Sequence, residues 1–213
     1  MNLLGNGLSD AKHHEAALSV RETDLATRRR LGADEESILI TQNNLANTYQ
    51  TLGWLDEALQ LKRDVYSGHL RLWGEENIDT LISANNYAAS LTRLERFDEA
   101  KSLLRKTILA ARRVLGENNR VTLTMRKIYA KALYRDADAT LDDLREAVQT
   151  LEDEGRIARR VLGGMHPLTT EIEGELQDAR AALHRLRAHS LLPFGAFAVA
   201  VAVVAWIWLF FFA

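Results

Sequence analysis

The chain predicts an all-α solenoid, and three observations predict it. Leu31-Gly32, Trp73-Gly74 and Leu115-Gly116 recur 42 residues apart, and Leu162-Gly163 follows after 47. A fixed period in this range marks stacked units, each too small to bury its own apolar face. Between the closures, apolar residues fall at helical spacing in two runs per unit. Two prolines in 213 residues, Pro167 and Pro193, leave those helices uninterrupted.

Each unit divides into a helix A and a helix B. Leu45-Ala46, Tyr87-Ala88 and Tyr129-Ala130 stand thirteen and fourteen residues past each closing glycine. Tyr49, Leu91 and Leu133 follow four positions after the first of each pair, on the same helical face. Gly53 and Glu95 occupy the turn. Helix B then opens with Leu55-Asp56-Glu57-Ala58, Phe97-Asp98-Glu99-Ala100 and Leu144-Arg145-Glu146-Ala147. The small alanines let A and B approach closely. Acidic first turns and basic last turns, such as Arg112-Arg113 and Arg159-Arg160, suit the helix dipole.

The register divides the chain into a partial repeat at 1–32, repeats at 33–74 and 75–116, and a third at 117–163. The third is longer, and its five extra residues fall around Asp136–Thr140, predicting a longer A–B turn. A lone final helix A occupies 164–190, and an apolar segment 191–213. Asn2-Leu3 falls on Asn44-Leu45, so Met1 enters midway through a helix A.

The run Asn43-Asn44-Leu45-Ala46-Asn47-Thr48-Tyr49, the box Phe97-Asp98-Glu99-Ala100 and the turn Met165-His166-Pro167-Leu168-Thr169 resemble the tetratricopeptide repeat. The likeness is to the 42-residue variant of kinesin light chains and covers about residues 2–187. It implies a helical-hairpin solenoid and a protein-binding role of unspecified kind, since this fold hosts many unrelated binding roles. By position, it implies a peptide groove lined by Asn43, Asn44, Asn47, Gln50, Asn85, Asn86, Arg93, Lys127, Lys131 and Arg135, with Thr51 and Tyr134 beside them. Asparagine both donates and accepts, so it can pair with an extended backbone of any sequence. The change from Asn to Lys along the array predicts positive potential at one end and a preference for acidic segments. Asn43, Thr124 and Ile128 stand where chaperone-binding members carry basic residues, which disfavours that role.

Leu191–Ala213 reads LLPFGAFAVAVAVVAWIWLFFFA, without a charge. Phe194–Ala213 is 20 residues, about 30 Å as a helix, the thickness of a bilayer core. Arg180, His184, Arg185, Arg187 and His189 precede it, and such a flank stays cytosolic. The expectation is a transmembrane-type helix that tethers the repeats to a membrane, facing the cytosol. A helix folded back onto the final unit and a frame artefact are the competing readings.

The remaining composition narrows the chemistry. A net charge of −2 carries no global basic footprint for nucleic acid. With no cysteine there is no disulfide, thiol nucleophile or cysteine zinc site. His13-His14-Glu15 does not converge on a metal, because adjacent helical residues point about 100° apart. Gly5-Asn6-Gly7 lacks the strand–helix setting of a phosphate loop. No cofactor, metal site or catalytic set is expected, so the chain reads as a non-catalytic protein or peptide binder. The alternative is a soluble, cytoplasmic fragment or capping subunit that joins a larger repeat assembly, or self-associates, through its open end repeats.

Overall fold

The structure is a computed structural model that describes residues 14–188. Every regular element among them is α-helical. They are α1 (His14–Arg30), α2 (Glu35–Leu52), α3 (Leu55–Trp73), α4 (Ile78–Arg93), α5 (Phe97–Leu115), α6 (Arg120–Arg135), α7 (Leu141–Leu162) and α8 (167–188). Each helix packs on its neighbours in sequence, and α4 also meets α6 directly. The A helices α4 and α6 therefore lie side by side, and α8 meets α6 through the Lys127–Glu171 and Lys131–Glu175 pairs.

Local chemistry explains the boundaries. Asp34, Asn77 and Asn119 cap α2, α4 and α6, accepting backbone N–H groups of Ser37, Asp79 and Val121 at 2.8, 2.7 and 2.8 Å. In α8 the equivalent position is His166, whose Nδ1 accepts the Leu168 N–H at 3.1 Å. Gly53 closes α2 at φ 83°, and Glu95 closes α4 in the same left-handed region at φ 59°. In both turns the next N–H reaches back five residues, Trp54 to Tyr49 and Arg96 to Leu91, each at 2.9 Å.

The third unit places its extra residues differently from the expected long turn. The A–B link is 136–140 against 94–96 in the second unit, so two of the five lengthen it. The other three add a turn's beginning to α7, which has 22 residues against 19 in α3 and α5. A reciprocal box between Thr140 and Asp143 makes that earlier start possible.

Ala46, Ala58, Ala88, Ala100, Ala130 and Ala147 are all buried, bringing each A helix onto its B helix. Leu81, Leu104, Leu123, Met125, Leu133, Leu151 and Ile172 fill one continuous core beside them. Such close packing is what stabilises a stack whose single units cannot stand alone. Gly68 of α3 meets Leu39 of α2, and an added Cβ would come within 2.5 Å of the Leu39 side chain.

Four charged side chains are buried among the described residues, Arg21 and Asp24 of α1, Lys62 of α3 and Glu154 of α7. Lys62 of α3 is 3 % exposed, where the 42-residue register places Leu104 and the next unit Leu151. Glu154 of α7 is fully buried, with Arg126 Nη1 2.7 Å from its carboxylate. That contact lies off hydrogen-bonding geometry, so Glu154 forms an ion pair without a hydrogen bond. Burial outweighs the Arg126 charge and pushes the carboxyl up to about 7.

Leu168, Ile172 and Ala179 anchor α8 to this core. Its outer face changes character. Gln177 and Arg180 stand where earlier A helices carry Ala130 and Leu133, and both are exposed. Arg180 turns back to Glu152 of α7 at 2.7 Å. These two positions, which earlier units fill with apolar side chains, are polar here. Among the described residues no helix is long and apolar enough to cross a membrane. The apolar segment 191–213 and the partial helix A at the N-terminus lie outside the described residues.

Candidate functional site: the groove of the A helices

Successive A helices present matching faces. Asn43, Asn85 and Lys127 share one register position, and Asn47, Ala89 and Lys131 the next turn of it. Between α4, α6 and α8 these faces enclose a cavity of about 690 Å³. Asn85, Arg93, Lys127, Lys131 and Arg135 line it, so five of the ten expected residues come together. The others lie apart from it, at half-buried (Asn43, Asn44, Gln50, Asn86) or exposed (Asn47) positions.

The electrostatics differ from the expected basic end. Lys127 pairs with Glu171, Lys131 with Glu175 at 2.5 Å, and Arg135 approaches Asp178 at 4.0 Å. Acidic residues at four- and three-residue spacing on α8 thus face basic residues at four-residue spacing on α6. The hydroxyl of Tyr134 also donates to Glu175, and burial together with that carboxylate raises the phenol. The cavity runs from a single cation on α4, Arg93, through basic at α6, to acidic at α8. The lysine charge that the Asn-to-Lys drift promised is compensated within the fold. Arg93 is exposed and has no ion pair among the described residues. The Asn85 Oδ1 atom in the same cavity is buried without a hydrogen-bond partner.

A second arrangement sits at the α2 end. Lys62 reaches through from α3 and donates to Asn43 Oδ1 at 3.2 Å and to Asn47 Oδ1 at 2.5 Å. Burial pushes its ammonium down to about 8. The sequence reading missed Lys62, Glu171, Glu175 and Asp178. A signal existed for the lysine, since 42 residues on the alignment demands a leucine. The α8 carboxylates carried a weaker signal, lying 43 or 44 residues beyond their partners.

The site offers hydrogen-bond donors, paired charges and a cleft. Among the described residues no group of three His, Asp or Glu side chains is placed to hold a metal ion.

Comparison with known proteins agrees with this geometry. The tetratricopeptide repeat family matches residues 38–79 and 80–120. No curated protein matches the chain. Among solved structures, the nearly identical TPR-like repeats of an assigned kinesin light chain from Podosopora anserina superpose with a TM-score of 0.70 in a single-substitution variant. Identity is 22%, over 90% of this chain and 93% of that one. A second structure of those repeats gives 0.68 at 22% identity, over 90% and 94%. BtubC (BKLC) from P. vanneervenii gives 0.57 at 18% identity, over 88% of this chain and 78% of that one. At these identities the likeness is one of fold. Residues 38–120 are tetratricopeptide repeats, and the chain's fold is a helical solenoid similar to that of the kinesin light chain repeats.

Proposed function

We propose that this protein is a non-catalytic interaction module that holds a segment of a partner protein against its A helices. Tetratricopeptide repeats make the chain a protein-binding array. The observation that supports this groove as the binding face is the 690 Å³ cleft carrying five of the ten expected residues. Arg93 is the group in that cleft best placed for an acidic side chain, because Lys127 and Lys131 already hold carboxylates. Selection of a randomised peptide library on the protein, followed by Asn85→Ala, Arg93→Ala and Lys127→Ala together, tests the reading. The selected peptides should lose affinity while the helical content holds. Unchanged affinity in a folded triple variant refutes the groove.

The tether is a proposal from sequence: 20 apolar residues at 194–213 match a bilayer core. Alkaline extraction of the full-length protein beside a version ending at Ser190 checks it, and equal release of both refutes it. A second reading dispenses with the membrane and has the array add onto another repeat assembly. Mass that rises with concentration in sedimentation, without peptide binding, would support it.

A further inference from the structure

Lys62 occupies a position that two sister units fill with the buried Leu104 and Leu151. Its ammonium is held by two amide oxygens, Asn43 Oδ1 and Asn47 Oδ1. No carboxylate pairs with it among the described residues. A buried cation without a counter-ion is costly, and a core leucine would avoid that penalty. Proteins that violate a packing rule of this kind do so at functional sites.

The geometry has a directional consequence. An asparagine amide accepts through Oδ1 and donates through Nδ2. With Oδ1 held by Lys62, the Nδ2 of each amide is left free to donate. Asn43 shares its register with Asn85 and Lys127, and Asn47 shares its register with Lys131, all of which line the groove. Neither amide NH2 donates to any group among the described residues.

We propose that Lys62 is a positioning residue that locks Asn43 and Asn47 with their NH2 groups toward the groove, forming a donor-only subsite for a carboxylate of the bound segment. The ammonium behind the amides makes an anionic oxygen the fitting occupant, since its charge has no internal partner. Without Lys62, either amide could turn and offer an acceptor instead. The subsite rests on the groove reading above and deepens it: it places the taste for carboxylates at α2, away from the paired lysines of α6.

The test uses isotope-labelled full-length protein, with hexaglutamate as probe and hexaglutamine as its neutral control. Hexaglutamate should shift the side-chain amide resonances of Asn43 and Asn47 saturably, and hexaglutamine should not. Lys62→Met should weaken hexaglutamate binding about tenfold, the loss of one charge-assisted contact, and abolish those amide shifts. The wild-type resonances answer independently of how the variant folds. Still amides at 43 and 47, beside shifts at Arg93 and Lys127, overturn the subsite and leave the groove standing. Equal binding by Lys62→Met also overturns it. No shift anywhere overturns the subsite and the groove's affinity for carboxylates together.

Discussion

Replacing Lys62 by methionine should stabilise the protein, although it deletes two hydrogen bonds. Burial takes the ammonium from its ordinary 10.5 to about 8. At about 1.4 kcal/mol per pH unit, that fall is a penalty of about 3 kcal/mol at neutral pH. The two asparagine oxygens offset part of it, so this figure is an upper bound. Methionine keeps the unbranched shape and puts sulfur and methyl where Leu104 and Leu151 sit in the sister units. Asn43 is half-buried and Asn47 exposed, so water can replace the lost donor at a cost of about 1 kcal/mol. The net gain is about 2 kcal/mol, which raises a thermal midpoint by roughly 4–8 °C in a chain of this size. The sign with pH follows from proton binding. Below pH 8 both folded and unfolded states carry the proton, and the penalty is complete. Between 8 and 10.5 the unfolded chain binds more protons, so wild-type stability rises with pH. The variant lacks that rise. Urea denaturation followed by circular dichroism, for both proteins at neutral pH and again between 9 and 10, measures it. A variant less stable than wild type at neutral pH refutes the reasoning, as does a stability gap that stays constant as pH rises.

Three further changes probe other parts of the fold. Glu154 titrates near 7 when folded against 4.5 in the open chain, so the folded state binds more protons between those values. Stability should therefore fall by about 2–3 kcal/mol as pH rises from 4.5 through 7; Glu154→Gln should flatten that slope in denaturation curves. Glu95 holds the left-handed turn that Gly53 holds in the preceding unit. Glu95→Gly should raise stability by about 0.5–1 kcal/mol, and a lower denaturation midpoint would contradict the strain argument. Glu175→Gln removes the carboxylate shared by Lys131 and Tyr134. Hexaglutamate should then bind several-fold more tightly and with a steeper salt dependence in fluorescence anisotropy, because an unpaired cation joins the groove.

Much of the architecture was legible before any coordinates. The 42-residue closures, the alanines at 46, 58, 88, 100, 130 and 147, and the acidic openings of the B helices all encode local geometry. Helix periodicity needs only residues three or four apart, and a close A–B approach needs only small side chains at fixed register. The placement of the third unit's extra residues was less legible. Thr140 and Asp143 form a cap that lets α7 begin early, and a turn-like composition around Asp136–Thr140 concealed it.

The repeat period and the helical class follow from the chain's own periodicity, which is a property of neighbours. Tertiary structure decided the charge of the groove and the place of Lys62. Whether Lys127 and Lys131 are free depends on carboxylates 44 residues away, brought into register by the stacking of α8 on α6. Whether Lys62 is a surface cation or a buried one depends on how closely α3 packs against α2. Desolvation and ion pairing act through space over a few ångströms, so helical periodicity can name the face that carries a charge. Packing across the units determines what meets it.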